Sequence, residues 1–413
     1  MAFDYSAASG ILKTVYLPAL QELLNNATPL LKVLEKEVTP TEGGDFKVAI
    51  HRLRNNAAML GRTEGATLPT AGQQGYVQAT VPVKLLYSRI NVSGKVIAAT
   101  RSNKGSFLKA LESEMKYVMN DSKRQLNRQV NGDGTGALAF WTTADNTSGT
   151  DVDDKFGNGT TYLNAGATTL DLIDATDNAT KLGDSIVVTR GAQSSTVTAV
   201  TWSGTVAGSA DEDYLVWEDS LGNEMTGIEG IISDGNPPLL TGGLHGLTVA
   251  SYPDWVAQIL GSYAARQDLS FPLIQQLISK IITESAIDES DIKLFHCHPA
   301  MRDTYVKLCQ DERVFYNVMK LDGGWEAVTY NGKPIIADVQ ARRNRFNAIT
   351  PSSMSIMQMA PLDWMDKDGS VFYRISGGDV DAYGATLFVY QELGCKARNQ
   401  NGALLGINET AWA

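Results

Sequence analysis

The stretch NKGSFLKALESEMKYVMNDSKRQLNRQVNGDG, residues 103–134, decides the fold. Its apolar residues recur at helical spacing and form one stripe, with charged residues on the opposite side. The stripe consists of Phe107, Leu108, Leu111, Met115, Val118, Met119, Leu126 and Val130. Asn103 or Ser106 is suited to cap the start, and the Gly-rich run 131–134 is suited to end it. At 1.5 Å per residue the helix would be roughly 40 Å long, which indicates a structural spine.

Apolar residues before this helix alternate with a period of two and predict a pair of strands. The alternation runs from Phe46 to Ile50 and again from Val77 to Leu85. Residues 55–75 between them are rich in Gly, Ala, Thr and Gln, and Pro82 indicates that the returning strand lies at a sheet edge. Two strands joined by so long a tip should project outward and need another surface to pack on.

The rest of the chain predicts a mixture of helices and short strands. Leucine-rich runs broken by Pro18 and Pro29 predict two short amphipathic helices in an N-terminal arm. Short strand candidates at 186–190, 196–202 and 214–217 predict a small inserted β barrel or sandwich. We further expect helices at 253–266, 272–285 and 301–308, and strands at 293–296, 334–339, 371–375 and 385–391.

Charge is unevenly distributed along the chain, whose net charge is −11. Residues 45–129 contain 14 basic and 5 acidic side chains, whereas residues 151–234 contain 3 basic and 15 acidic ones. This asymmetry suits a protein whose parts face different partners, including copies of itself. No apolar run approaches the roughly 18 residues of a membrane span, so we expect a soluble protein made in the cytoplasm. Three cysteines, an odd number, indicate reduced thiols.

The sequence contains no motif that clearly indicates a nucleotide-binding or metal-binding site. Neither Gly-Lys pair has the spacing of a phosphate-binding loop. His296, Cys297, His298 and Cys309 have suitable atoms for zinc, but on a strand Cys297 faces away from both histidines, so packing is favoured. The run 366–369 resembles the start of a calcium loop, but the glutamate required at its twelfth position is missing and a turn is favoured.

Two further groups of charged residues leave alternatives open. The acid pairs Asp363 with Asp366, and Asp379 with Asp381, are of the kind that performs acid–base catalysis, although solvated turns are favoured. The basic run at 342, 343 and 345 suits either nucleic-acid contact or a loop that forms ion pairs with a neighbour, and the second is favoured.

The C-terminal half contains a series of distinctive short segments. They are HPAMR (298–302), YNGKPIIAD (330–338), NRF (344–346), PSS (351–353), WMDKDGS (364–370) and ATLFVYQELG (385–394). In this order they resemble the C-terminal half of the major capsid proteins of tailed bacteriophages. Nearly the whole chain is similar to these proteins in the order of its elements. The resemblance implies an α+β Hong Kong 97-type coat fold. Its expected parts are an N-terminal arm, an E-loop, a P-domain with the long spine helix, an A-domain and an inserted small β domain.

The resemblance also implies domain boundaries. We expect the arm at 1–43, the E-loop at 44–97, the P-domain with its spine helix at 98–150, the inserted β-rich domain at 151–234, a P-domain continuation at 235–284, the A-domain at 285–370 and the C-terminal P-domain strands at 371–413. The tip at 55–75 contains no Lys, the residue that forms isopeptide crosslinks in one branch of this family.

The function that the resemblance implies is that of a major capsid protein of a tailed double-stranded DNA bacteriophage. It would be non-enzymatic and without cofactors, and would assemble in the bacterial cytoplasm into the hexamers and pentamers of the virion capsid. The implied partners are a scaffolding protein, a portal, in some shells a decoration protein, and packaged DNA through non-specific contact, with no membrane. The alternatives are an encapsulin-like compartment shell and, from another class, a hydrolase using the acid pairs.

Charge suggests which residues perform these roles. Acidic surface elsewhere on the chain offers every basic residue a partner on each neighbouring copy. We therefore expect inter-subunit ion pairs from Arg52, Arg54, Arg62, Lys84, Arg342, Arg343 and Arg345. We expect a DNA-facing role on the polar side of the spine for Lys116, Lys123, Arg124 and Arg128, because cations that contact DNA release its counterions.

Overall fold

The computed structural model describes residues 29–38, 44–94, 104–141, 150–153, 167–193, 198–203, 213–263, 265–285, 287–312, 318–321, 325–366, 371–374 and 382–409. The first predicted arm helix, the acids Asp379 and Asp381, and parts of the inserted domain lie outside these residues. All statements below concern the described part of the chain.

The described residues form five α-helices and twenty strands. The helices are α1 (Pro29–Val33), α2 (Lys104–Asn131), α3 (Ile228–Ile231), α4 (Phe271–Ser285) and α5 (Pro299–Asp311). The first ten strands are β1 (Glu35–Val38), β2 (Asp45–Leu53), β3 (Gly75–Pro82), β4 (Lys84–Ser93), β5 (Ala139–Trp141), β6 (Thr150–Asp153), β7 (Ala167–Ile173), β8 (Lys181–Gln193), β9 (Thr198–Ser203) and β10 (Tyr214–Trp217). The remaining ten are β11 (Gln258–Gly261), β12 (Leu294–Cys297), β13 (Val318–Leu321), β14 (Trp325–Tyr330), β15 (Lys333–Ala337), β16 (Arg345–Ile349), β17 (Met354–Trp364), β18 (Tyr373–Arg374), β19 (Ala382–Cys395) and β20 (Gly402–Leu405).

A five-stranded sheet packed against the long helix α2 forms the centre of the molecule. Strands β17 and β19 pair antiparallel, β1 adds parallel to β17, and β4 and β18 both pair with β19. Helix α2, hereafter the spine helix, has the predicted amphipathic character, and its Met119 and Leu126 share a core with Leu387 and Val389 of β19. Burial of each such side chain contributes roughly 1.5–3 kcal/mol. The predicted spine helix is confirmed.

A seven-stranded sheet, in the order β11-β20-β16-β12-β15-β14-β13, separates two cores. Strand residues alternate between its faces, so Phe295 and Phe346 point to one side, while Leu294 and Ile349 point to the other. The first side packs against α4 and α5, and the second belongs to the same core as the spine helix. The predicted helices at 272–285 and 301–308 and strands at 293–296 and 334–339 are confirmed.

The inserted domain is a closed barrel in the order β10-β5-β6-β9-β8-β7. It begins directly after the spine helix and returns to the body at α3. Leu170, Leu172, Ile186 and Leu215 are buried, and closure pairs every strand on both sides so that no sheet edge is left. The prediction of a small β module is confirmed, and the structure selects the barrel over the sandwich.

The hairpin of β2 and β3 stands apart as a two-stranded sheet joined by residues 54–74, hereafter the tip. Helix α1 buries Leu30 and Leu31 in the central core, where Leu34 directly after it is also buried, and the second predicted arm helix is confirmed. The predicted returning strand is interrupted at Val83, after which β4 joins the central sheet. Pro82, which lacks a donor N–H, ends the pairing with β2.

One predicted helix is wrong. Residues 253–266 form a 3₁₀ turn, Pro253–Trp255, followed by β11. Strand β11 pairs in parallel with β20, Gln258 opposite Gly402 and Gly261 opposite Leu405, so sheet pairing overrides the helical spacing of the segment. The strand predicted at 371–375 is described only as the two residues of β18, whereas that at 385–391 lies within the longer β19.

Candidate assembly surface

The stem of the hairpin is fixed to the body by an ion pair. Arg52 Nε lies 2.9 Å from Asp254 Oδ2 and its Nη2 lies 3.0 Å from Asp254 Oδ1, and the guanidinium sits 4.8 Å from the Tyr252 ring centroid. The hydrogen bond from Arg52 lowers the pKa of Asp254. In addition, Thr80 N donates to the His245 carbonyl at 2.9 Å. Arg52 therefore has an acidic partner in its own chain, and its predicted inter-subunit role stays a prediction.

Beyond the stem, the tip exposes large apolar side chains. Met59 is 100% exposed and Leu68 is 82% exposed, and about half of Leu60 faces solvent. Arg54 and Arg62 are exposed beside them. Turns within the tip are held by short-range hydrogen bonds, such as that from Ala57 N to Asn55 Oδ1 at 2.8 Å. Apolar side chains grouped on a projecting loop are typical of a surface that another protein covers.

The four basic residues predicted on the polar side of the spine helix are not equivalent. Lys116 is exposed, Lys123 and Arg124 are half-buried, and burial lowers the pKa of Lys123. Arg128 is only 2% exposed, forms an ion pair with Glu224, and donates from Nε to Gln125 Oε1 at 2.9 Å. The prediction that Arg128 faces DNA is wrong, because the segment leading from the barrel back to α3 covers the last turns of the helix.

The basic run at 342–345 forms bonds within its own chain. Arg342 pairs with Glu229 and lies 3.9 Å from the Tyr263 ring centroid, while Arg343 Nε lies 2.9 Å from Glu409 Oε2. These partners belong to the same chain, and the predicted ion pairs of Arg342 and Arg343 with a neighbouring subunit stay a prediction.

Two more of the predicted inter-subunit residues also have intrachain partners. Arg345, 3% exposed, donates from Nε to Asn347 Oδ1 at 2.7 Å and from Nη2 to the Ile232 carbonyl. Its predicted inter-subunit contact is wrong, because its own chain encloses it. Lys84 is half-buried and its Nζ donates to the Gly222 carbonyl at 2.6 Å.

A buried polar joint connects the spine helix to the seven-stranded sheet. Asn127 Nδ2 donates to both oxygens of Asp338 at 3.1 and 3.0 Å, and Asn131 Nδ2 donates to Oδ2 at 3.2 Å. Burial lowers the pKa of His296 to about 4, with the charge of Asp338 opposing this shift. The joint was not predicted, although Asn127 and Asn131 stand one helical turn apart and could have indicated it.

Two more buried titratable groups lie beside the central sheet. Glu392 accepts hydrogen bonds from Thr226 N at 2.8 Å and Leu393 N at 3.0 Å, and burial raises its pKa to about 8. His245 Nε2 accepts from Cys395 N at 3.1 Å, and burial lowers its pKa to about 3. Burial therefore favours the neutral form of both groups, and nothing in the local sequence distinguishes them from surface residues.

The residues considered for zinc occupy packing and capping positions. His296, Cys297 and Cys309 are buried, and burial raises the pKa of the Cys297 thiol. His298 Nδ1 accepts from Ala300 N at 3.2 Å and caps α5. Within the described ranges, no group of three or more His, Cys, Asp or Glu side chains is placed to hold a metal, all three cysteines are free, and no helix could cross a membrane.

The acid pairs are only partly described. Asp363 lies on β17 and its Oδ1 accepts from Trp364 N at 2.7 Å. Asp366 follows at the exposed end of that strand. Asp379 and Asp381 lie outside the described residues.

A half-open groove of about 770 Å³ lies between the spine helix, the start of β4 and the segment 217–224 that leaves the barrel. Its lining includes apolar side chains, Leu86, Leu126, Leu362, Leu387 and Val389, and polar ones, among them Lys84, Ser122, Gln125 and Gln129. Its rim includes Glu218, Asp219 and Asn223, which are exposed. The volume falls in the range of about 300–1,000 Å³ that is usual for binding pockets. Sequence periodicity could not predict this groove, because it forms where distant segments meet.

No protein-family model and no curated protein sequence matches this chain. Among solved structures, a chain of the cyanophage A-1(L) capsid asymmetric unit is similar, with 10% sequence identity, 92% of this chain and 93% of that chain covered, and a TM-score of 0.54.

Two weaker likenesses carry no weight here. One is to the holo-SrpI encapsulin complex from Synechococcus elongatus PCC 7942, at 9% identity, with 93% of this chain and 89% of that chain covered and a TM-score of 0.46. The other is to a chain of Gordonia phage Cozz, at 12% identity, with 93% and 87% covered and a TM-score of 0.44. The cyanophage match extends over nearly the full length of both chains, and the spine helix, the hairpin and the two sheets follow in the predicted order. The chain therefore has the fold of a phage capsid subunit, the Hong Kong 97-type coat fold that its sequence resembles.

Proposed function

We propose that this chain is the major capsid protein of a tailed double-stranded DNA bacteriophage, and that it self-assembles into the icosahedral shell of the virion. The observation that carries the proposal is the tip, which exposes Met59 and Leu68 at the end of a hairpin whose stem is fixed to the body. A protein that stays monomeric would leave these apolar side chains in water, whereas a shell subunit covers them with a neighbouring subunit.

Assembly follows from repeated modest contacts. Each subunit would offer one tip and one receiving surface, so contacts of limited area multiply around a closed shell. Scaffolding, portal and decoration proteins belong to this proposal, as does assembly in the host cytoplasm. Lys116, Lys123 and Arg124 are the remaining residues proposed to face packaged DNA, and weak sequence-independent contacts there would allow the genome to leave.

A structural role, and not an enzymatic one, is favoured by where the reactive side chains lie. His245, His296, Cys297 and Cys309 are buried, so they are withheld from a substrate. Their hydrogen bonds and packing stabilise the subunit.

The test is expression of the full chain, with and without a scaffolding protein from the same genome, followed by electron microscopy. We expect closed shells, and we expect deletion of residues 56–74 to leave a folded subunit that forms none. The deletion removes no residue of a strand or of a core cluster, so circular dichroism should be unchanged. Wild-type protein that stays monomeric under all these conditions contradicts the proposal. Particles that enclose an enzyme and exclude DNA would support the encapsulin alternative.

A further inference from the structure

Asp338, in the joint between the spine helix and the seven-stranded sheet, is a buried carboxylate whose hydrogen-bond donors are neutral. It is 6% exposed. Among the described residues it accepts from the side-chain amides of Asn127 and Asn131 and from the backbone N–H of Gln340, and it forms no ion pair there. Buried charges in proteins are as a rule paired or bound to a metal ion. Asp338 therefore lacks a paired counter-charge in the described part of the chain.

The amides that contact Asp338 leave their own oxygens without a donor. Asn127 is 6% exposed and Asn131 is 3% exposed, and the Oδ1 atom of each has no hydrogen-bond partner among the described residues. The side chain of Gln340 is also buried, and its Oε1 is unpaired in the same way. A buried acceptor without a donor is unfavourable. Unpaired oxygens that adjoin an unmatched carboxylate form a donor set that favours a cation.

The electrostatic surroundings also favour positive charge at Asp338. Asn131 is the last residue of the spine helix, and the C-terminal end of a helix carries a partial negative charge that attracts cations. Arg345 lies on the same sheet but donates to Asn347 Oδ1 and to the Ile232 carbonyl. Its guanidinium is therefore engaged by other oxygens and forms no bond to Asp338.

The positions of the two amide nitrogens define where a cation fits. Asn131 Nδ2 lies 2.9 Å from the Asn127 carbonyl oxygen and 3.2 Å from Asp338 Oδ2, and Asn127 Nδ2 lies 3.1 and 3.0 Å from the two Asp338 oxygens. Half a turn about the Cβ–Cγ bond exchanges the nitrogen and the oxygen of an amide with little change in its shape. Both amide oxygens would then adjoin the carboxylate, which is favourable only when a cation is shared between them.

The chemistry of these oxygens matches one kind of ion. Ca²⁺ binds carboxylate, Asn side-chain and backbone carbonyl oxygens at about 2.3–2.6 Å in flexible geometry and accepts waters as further ligands. Mg²⁺ requires a nearly ideal octahedron at about 2.0–2.1 Å. The set contains a single carboxylate, so it differs from the groups of His, Cys, Asp and Glu considered for metals above.

We propose that the joint binds one Ca²⁺ ion between the last turn of the spine helix and the turn after β15. Its protein ligands are the Asp338 carboxylate, the side-chain oxygens of Asn127 and Asn131 and the Asn127 carbonyl. The ion ties the spine helix to the seven-stranded sheet. This inference goes beyond the proposed shell function, because the site lies within one subunit and needs no neighbour.

Calcium binding is measured on the full chain, kept below its assembly concentration and freed of metal with a chelator. Equilibrium dialysis with radioactive Ca²⁺ should give one ion per chain, with a Kd of about 10⁻⁴–10⁻³ M because only one ligand is charged. At constant ionic strength, about 10 mM Ca²⁺ should raise the midpoint of thermal unfolding, since the ion binds the folded state. Mg²⁺ should bind at least about 10-fold more weakly.

Three substitutions assign the binding to the joint. Asp338→Asn keeps the shape of the side chain and should weaken Ca²⁺ binding at least about 10-fold. Asn131→Asp adds a second charged ligand and should tighten Ca²⁺ binding at least about 10-fold, while lowering the unfolding midpoint without Ca²⁺ because two buried carboxylates then repel. Asp219→Asn is the control in the acidic barrel, where Asp219 is 89% exposed, and it should leave binding unchanged.

The tighter binding expected for Asn131→Asp is a gain that a merely misfolded variant cannot produce. Wild-type protein that binds no Ca²⁺, as when water alone fills the joint, would overturn the inference. So would equal effects of Ca²⁺ and Mg²⁺, or binding that Asp219→Asn removes and Asp338→Asn retains. Because every measurement is made on the subunit, a chain that binds Ca²⁺ but never forms shells refutes the proposed function alone.

Discussion

Helix α3 approaches the end of the spine helix so closely that only glycine fits at the contact. Gly227 precedes α3 with φ −84° and ψ −164°, an extended conformation that any residue can adopt. A Cβ atom built there would lie 2.3 Å from the carbonyl oxygens of both Gln129 and Val130. Substitution Gly227→Ala therefore introduces a purely steric conflict with backbone atoms that are fixed in the last turns of a helix.

The size of the effect follows from the overlap. Relief requires α3 and the spine helix to separate by about 1 Å, because non-bonded heavy atoms prefer about 3.5 Å or more. That separation loosens the packing of Ile228 and Ile231 in the central core. Overpacking of this kind costs about 1–3 kcal/mol, and the reduced entropy of the unfolded chain returns about 0.4–1 kcal/mol. We expect a net loss of about 1 kcal/mol in the free energy of unfolding.

Urea unfolding of the subunit, kept below its assembly concentration, measures this loss. Gly230→Ala should be less destabilising, because its Cβ would lie 2.8 Å from the Asp133 carbonyl oxygen and from Thr226 Cγ2, a side-chain atom that can move. Gly235→Ala is the matched control, since a Cβ there meets nothing within 4 Å. Equal unfolding midpoints for the variants at 227 and 235, at unchanged slope, would refute the close contact between α3 and the spine helix.

Three further predictions concern buried charge and protonation. The folded-state pKa of Glu392, about 8, lies above its unfolded value, so folded protein loses about 1.4 kcal/mol of stability per pH unit as pH rises from about 5 to 8. Glu392→Gln should abolish that slope in urea unfolding, whereas Glu312→Gln at an exposed position should keep it. For His245 the sign is opposite, because its pKa of about 3 lies below the unfolded value. Stability therefore falls as pH drops below about 6.5, and His245→Gln should reduce this acid-dependent loss of stability. Arg128→Met should lower the free energy of unfolding by about 3–5 kcal/mol, because it leaves the Glu224 carboxylate buried and unpaired. The control Lys116→Met should change that free energy by less than about 0.5 kcal/mol. Equal effects of the two substitutions would contradict the burial of Arg128.

Periodicity predicted the elements that bury one continuous face. The spine helix has an apolar stripe of eight residues, and β2 and β3 alternate strictly, so the local pattern and the tertiary environment agree. The prediction failed at 253–266, where short apolar groups fit a helix or a strand equally well. The conformation of this segment is set by β20, which lies almost 150 residues later in the chain and pairs with β11 along its edge. A rule that considers only neighbouring residues cannot predict such long-range pairing.

The candidate site was harder to predict than the fold. Exposure of the tip followed from composition, because Gly, Ala, Thr and Gln at 55–75 cannot form a core. The basic residues were treated as one class, yet Arg54 and Arg62 are exposed while Arg128 and Arg345 are buried. Arginine is suited to both settings, since its planar guanidinium can satisfy buried carboxylates and carbonyls as well as surface partners. Charge counts therefore identify a basic region but not which of its members remain available to a neighbour.

The distribution of these arginines distinguishes a body that is held together by buried bonds from a tip that is exposed. Arg128, Arg345 and Arg398 bond to groups between residues 224 and 235, and so tie the spine helix, the seven-stranded sheet and the segment before β20 to the turn around α3. Burying three guanidinium groups costs desolvation energy, and their charge-assisted hydrogen bonds to carboxylate and carbonyl oxygens offset part of that cost. The tip makes no comparable buried bonds among its described residues and presents its side chains to solvent. Under the proposed shell function, a subunit built in this way would vary its neighbour contacts at the tip while its body keeps one shape, which is the combination that shells of identical chains in unequal positions require.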